Sequence, residues 1–228
     1  MAQPGFVDSF SQKFVLNAES TALVVIDMQN ATGNRHMGLG TLLAEKGQEA
    51  QADYRFSRIE RVLVPNIQRL LNVFRKSTGH IVYITYGANM PDAADAPPHM
   101  APIIKATNNI VGQREHEIVA ELQPLPGELV LNKITQGAFR STALDSTLRA
   151  LAVDTVVCVG VSTNNCVAMT AMEACDSQYR VVVVSDGTGT DSAEMQEATL
   201  TMLRRLWSRV MSTDEIIAEL TNKAGDSH

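Results

Sequence analysis

A disulfide framework is beyond this sequence, whose 228 residues contain three cysteines, Cys158, Cys166 and Cys175. An odd, low count fits reduced thiols in a cytoplasm. Basic residues are also few, with 19 Lys and Arg against 25 Asp and Glu for a net charge of −6. Proteins that follow phosphates present a basic face, so nucleic acid is not an expected partner. Nowhere does an apolar run approach the roughly 18 residues of a membrane-spanning helix. The opening MAQPGFVDSFSQKF carries no long apolar stretch of the signal-peptide kind. The expectation is a cytoplasmic protein without membrane contact. No G-x-G-x-x-G fingerprint follows the first apolar run, which argues against a dinucleotide cofactor. The histidines, His36, His80, His99, His116 and His228, are scattered without ligand spacing. Neither a metal nor an organic cofactor is expected.

Apolar residues, by contrast, make up 45% of the chain, enough at this length for the core of one α/β domain. Short β-branched runs recur at 22–28 (ALVVIDM), 80–86 (HIVYITY), 129–133 (LVLNK), 155–161 (TVVCVGV) and 180–185 (RVVVVS). They are nearly continuous rather than alternating, the pattern of strands buried on both faces of a parallel sheet. Helical stretches follow at 59–74, 142–152, 164–177 and 193–206. A short run near Val210 precedes Thr213, which reads as the N-cap of a helix over 214–220. Such alternation predicts a doubly wound three-layer α/β/α sandwich, with the ligand at the carboxyl ends of the strands. Residues 32–54 and 87–106 read as long loops or partly helical excursions at that end. Residues 1–20 read as an N-terminal arm, anchored by Phe6, Phe10 and Phe14 on a neighbouring subunit or on the chain's own surface, and 21–228 as the domain.

Three strand ends carry candidate chemistry. Asp27 closes the first run, where a carboxylate needs a partner or a task. Lys133 closes the third, where its ammonium would favour a thiolate nearby. Cys166 follows the fourth run, in the first turn of the next helix. There the helix dipole favours a thiolate, and free backbone N–H groups can serve an oxyanion. Cys158, in mid-strand, and Cys175, late in a helix, read as structural.

Asp27 in VVIDMQN, Lys133 in LNKITQGAF and Cys166 in GVSTNNCV, in this order and strand context, resemble the isochorismatase-like cysteine hydrolases over residues 21–219. The resemblance implies a six-stranded, mostly parallel, Rossmann-type sheet and an Asp27–Lys133–Cys166 catalytic triad. It also implies a cis peptide at Val161–Ser162 and an oxyanion site made by the Ser162 and Cys166 N–H groups. A homodimer or homotetramer is implied as well. The family includes nicotinamidases, isochorismatase and hydrolases of biuret, triuret, ureidoacrylate and N-carbamoylsarcosine. Where members often carry an acidic residue and an aromatic after the first motif, this chain has Asn30, Ala31, Thr32 and Gly33. His36-Met37-Gly38 resembles biuret-hydrolase-like members, and LPGELVLNK and STNNCV the ureidoacrylate and carbamoyl-amide branch. The expected activity is therefore thioester-mediated C–N hydrolysis of a small linear ureide. A nicotinamidase or maleamate-type amidase is the alternative, and a catalytically silent binding protein the alternative of another class. The substrate-contact candidates are Gln29, Asn30, Arg35, Tyr86, Gln136, Phe139 and Thr163. Gln29 is expected chiefly to support the Asp27 loop, and Arg35 to bind a substrate carboxylate or to stay solvated.

Overall fold

Six parallel strands form where the apolar runs lie, in a computed structural model that describes residues 10–222. They are β1 (Thr21–Ile26), β2 (His80–Tyr86), β3 (Leu129–Lys133), β4 (Thr155–Val161), β5 (Arg180–Gly189) and β6 (Arg209–Met211). Their order is β3-β2-β1-β4-β5-β6 and every pairing is parallel. Every residue of β1 and β4 is buried, as continuous apolar runs at a sheet centre must be. The chain winds outward in opposite directions from β1 and β4. That pair is the switch point where open α/β sheets hold their ligands.

Nine helices flank the sheet among the described residues: α1 (Asn30–Gly33), α2 (Leu39–Glu45), α3 (Asp53–Arg58), α4 (Val64–Lys76), α5 (Ala101–Ala106), α6 (Leu144–Ala150), α7 (Ala168–Asp176), α8 (Ala193–Arg204) and α9 (Thr213–Asn222). One face packs Leu63 and the α4 residues Ile67, Leu70, Leu71 and Phe74, with Ile216 of α9, against Leu23, Val25, Val157 and Val182. On the other, Leu148, Ala171 and Leu203 from α6, α7 and α8 meet Val24, Ile26, Val156 and Val181. This gives the three layers. Leu16 is fully buried in the first core, and Phe14 packs against it with the Arg209 guanidinium 5.2 Å from its ring centroid. Phe10 is exposed, and Phe6 lies outside the described residues. Among the described residues no helix is long and apolar enough to cross a membrane.

Three boundaries differ from expectation. The helix expected from residue 59 begins at Asp53 and passes through a π-helical turn, Ile59–Leu63, before α4. Strand β5, expected over 180–185, runs on through Gly187, Thr188 and Gly189; Thr188 pairs with Gly160 and Gly189 with Val161 after a register shift. Gly160 has φ +113°, and a Cβ there would lie 2.0 Å from the Ile26 carbonyl oxygen, so only glycine lets β4 lie this close to β1. Ser212, not Thr213, caps α9. Its hydroxyl accepts from the Glu215 N–H (3.3 Å) while the Glu215 carboxylate accepts from the Ser212 N–H (2.7 Å), a reciprocal capping box. Thr213 instead donates its N–H and hydroxyl to Asp186 Oδ1 (2.8 and 2.9 Å). Ser212→Ala is expected to cost about 1 kcal/mol of stability, read as a lower urea midpoint at unchanged slope.

Candidate active site

Asp27 follows β1 directly. Its N–H still donates to the Ile84 carbonyl (2.9 Å), continuing the ladder, but its φ of +53° turns the chain out of the strand. Aspartate is one of the few residues with a side chain that visits this left-handed region readily. The turn leaves the carboxylate 5% exposed at the switch point.

Lys133 arrives from two strands away. It ends β3 opposite Tyr86 of β2, about 10 Å from β1 at ordinary strand spacing. Only a long side chain closes that gap. The Lys133 stem is fully buried, and its ammonium lies 4.0 Å from the Tyr86 ring centroid and 2.9 Å from Asp27 Oδ2. Tyrosine is thus the bridge over which the cation crosses β2, and a buried ring face favours it there.

Cys166 comes from the far side of the switch point. It sits in a π-helical turn, Thr163–Val167, between Ser162 and α7. The Ser162 carbonyl accepts from the Asn165 and Val167 N–H groups (3.0 and 3.2 Å), which sets the wider winding. The Val161–Ser162 peptide is cis. Cys166 is 7% exposed, and its thiol responds to the charges of both Asp27 and Lys133.

The electrostatics correct one expectation. Burial, then the Asp27 charge, push the Cys166 thiol up to about 12, and Lys133 opposes them without prevailing. The resting group is a thiol, not the thiolate that a neighbouring ammonium and a helix N-terminus suggest. Burial also holds the Asp27 carboxyl above its ordinary range, against the pull of Lys133. Burial works to lower Lys133 too, but the charges of Asp27 and Cys166 outweigh it and keep the ammonium above its ordinary value.

Asp27 and Cys166 open onto a cavity of about 90 Å³, room for roughly three waters. Lys133 lies behind its wall. Of the substrate-contact candidates, Gln29, Tyr86 and Gln136 line this space. Gln29 is mainly a brace: its amide donates to the His116 carbonyl (2.7 Å) and accepts from the Tyr86 N–H (2.7 Å). The Tyr86 hydroxyl is buried and has no hydrogen-bond partner among the described residues.

The other four candidates do not line it. Asn30 is buried and donates to the Arg114 carbonyl (3.0 Å). Phe139 packs on Tyr179, ring centroids 5.7 Å apart. Thr163 is fully buried and bonded to Gln196 (2.7 Å). Arg35 is turned away by Asp53 and Glu60, each 2.9 Å from its guanidinium, because those carboxylates on the outer helices satisfy it first. The arginine that reaches the cavity is Arg55, which sequence reading passed over. A signal existed: Arg55 falls on the i, i+4 stripe with Ile59, Leu63, Ile67 and Leu71, all of them core residues, where a cation is out of place. Among the described residues no cluster of three or more His, Cys, Asp or Glu is arranged to hold a metal ion.

A family model, described as the isochorismatase domain, matches residues 21–215. The ureidoacrylate amidohydrolase RutB of Variovorax paradoxus (strain S110) is 26% identical over 226 residues, covering 94% of this chain and 86% of that protein. The uncharacterized isochorismatase family protein YwoC of Bacillus subtilis (strain 168) is 28% identical, covering 90% and 96%. Among solved structures, N-carbamoylsarcosine amidase from Thermoplasma acidophilum superposes with TM-score 0.65 at 28% identity, covering 86% of this chain and 98% of that one. A cysteine hydrolase from Pseudomonas syringae pv. phaseolicola 1448A reaches TM-score 0.75 at 22% identity, with 96% and 98% covered, a likeness of fold.

Proposed function

This chain belongs to the isochorismatase family, and from that membership we propose that it is a cysteine-dependent amidohydrolase that cleaves a C–N bond of a small linear amide or ureide. Asp27 takes the Cys166 proton as the sulfur attacks the carbonyl carbon, and Lys133 steadies the negative charge as it shifts between carboxylate and sulfur. The Ser162 and Cys166 N–H groups receive the oxyanion. Protonated Asp27 passes its proton to the leaving nitrogen, leaving a thioester. Asp27 then activates the water that hydrolyses it.

The observation that carries this reading is the Asp27–Lys133 pair, 2.9 Å apart, beside a buried thiol that responds to both charges. A carboxyl held above its ordinary range is suited to act first as base and then as acid near neutrality. Protonating it removes the base, so activity is expected to fall as pH drops through a value above that of an ordinary carboxylate. The small cavity favours a short substrate, and two relatives are named for acting on ureidoacrylate and N-carbamoylsarcosine.

The test is an ammonia-release screen over biuret, triuret, ureidoacrylate, N-carbamoylsarcosine, maleamate and nicotinamide, with mass spectrometry of acid-quenched enzyme. Turnover of a linear ureide with an acyl adduct on Cys166 is expected. Turnover of nicotinamide alone would overturn the substrate class, and undiminished turnover by Cys166→Ala would overturn the nucleophile. The proposed dimer or tetramer is checked by light scattering.

A further inference from the structure

Arg55 is a buried cation with donors to spare. Its side chain is 6% exposed, yet it borders the same cavity as Asp27 and Cys166. A guanidinium has five N–H donors. Nε uses one on the Thr32 carbonyl (2.9 Å). Nη1 uses its two on the Ser162 hydroxyl (2.8 Å) and on Asp191 Oδ1 (3.0 Å). Nη2 has no partner among the described residues, and it is not one of the fully sealed polar atoms. Leaving charged donors unmade in a buried site is costly unless a ligand completes them.

Charge selects the ligand. Asp27 is matched by Lys133 behind it. Among the described residues Arg55 is matched only by Asp191, which stands at the rim with a side chain 68% exposed and so is largely screened by water. The interior therefore carries surplus positive charge. We propose that Arg55 forms an anion subsite and that the substrate carries a carboxylate in addition to its scissile amide. This rests on the amidohydrolase reading and narrows it, favouring N-carbamoyl or ureido acids over neutral biuret.

The test compares kcat/KM for N-carbamoylsarcosine and its methyl ester in wild type, Arg55→Gln, Arg55→Lys and Ser162→Ala. Losing a charge-assisted hydrogen bond should lower the rate on the acid about 10- to 100-fold in Arg55→Gln. The ester should change far less, and Arg55→Lys should regain part of the preference for the acid. Equal losses on acid and ester, reproduced by Ser162→Ala, would mean that Arg55 merely positions Ser162, and would overturn the proposal. A second readout needs no turnover. Propionate should protect Cys166 of the wild type from iodoacetamide better than propionamide does, and Arg55→Lys, chosen in case the Gln variant does not fold, should keep part of that difference. Equal protection by the two ligands overturns the anion subsite. Failure of every amide in the screen, with propionate still protecting, would overturn the amidohydrolase reading and leave the subsite standing.

Discussion

Asp27→Asn should abolish hydrolysis and, in the same protein, make Cys166 easier to alkylate. The two effects separate because Asp27 plays opposite parts toward the sulfur. As a base it is needed for turnover, and losing general acid–base help costs on the order of 10² to 10⁴ in rate. As a buried negative charge it raises the thiol's pKa, second only to burial. Asparagine keeps the shape and tolerates φ +53°, while Lys133 remains to favour the thiolate. The thiol pKa of about 12 should fall. Each unit of fall raises the thiolate fraction about tenfold and costs about threefold in intrinsic nucleophilicity, a net gain of about threefold per unit. Iodoacetamide kinetics from pH 7 to 10 measure this. The alkylation curve of Asp27→Asn should lie toward lower pH than that of the wild type. An unchanged curve would mean that the carboxylate does not govern the sulfur.

Lys133→Met should be the most destabilising single change in the site. Methionine preserves bulk and removes the ammonium, leaving Asp27 buried and alone. Breaking one side of a buried ion pair costs about 3–5 kcal/mol, which in a chain of this size lowers Tm on the order of 10 °C. The deficit depends on pH in a defined direction. Without the ammonium the folded carboxyl binds its proton more tightly than the unfolded one does. The variant should therefore approach wild-type stability below the ordinary carboxylate value of about 4. Burial already holds the wild-type carboxyl above that value, so the penalty opens where the wild-type folded carboxyl ionises and the variant's does not, and it levels off once the variant's ionises too. Combining Lys133→Met with Asp27→Asn removes both charges and should restore most of the loss at neutral pH. If the double variant is as unstable as the single one, packing of the lysine stem rather than charge dominates.

The strands were legible because burial on both faces leaves an unbroken apolar signature, and β2, β3 and β4 begin and end where their runs do. Asp27, Lys133 and Cys166 stood out because polar residues at the ends of such runs are conspicuous. What escaped depended on distant partners. The length of β5 is set by pairing with Gly160 and Val161, which overrides the turn preference of Gly187 and Gly189. The choice of Ser212 over Thr213 as cap is settled by Asp186, which engages Thr213 first. Arg35 stands in a polar loop and Arg55 on an apolar stripe, but which of them reaches the cavity is decided by the placement of Asp53 and Glu60 beside one and Ser162 beside the other. The thiol's high pKa could not be read from neighbours in sequence because desolvation, a property of the whole fold, outweighs them.

The cavity has walls of two kinds. Asp27 and Ser162 stand directly on the ends of central strands and Cys166 in the helical turn that follows β4, while Thr32, Arg55, Met100 and Asn109 come from the segments between β1 and β2 and between β2 and β3. Bond-making groups thus sit at the carboxyl end of the fully buried central strands, and much of the remaining wall belongs to the two segments that flank β2. Grafting those segments from another member onto this sheet should exchange which molecule is accepted while leaving the proton-transfer apparatus in register.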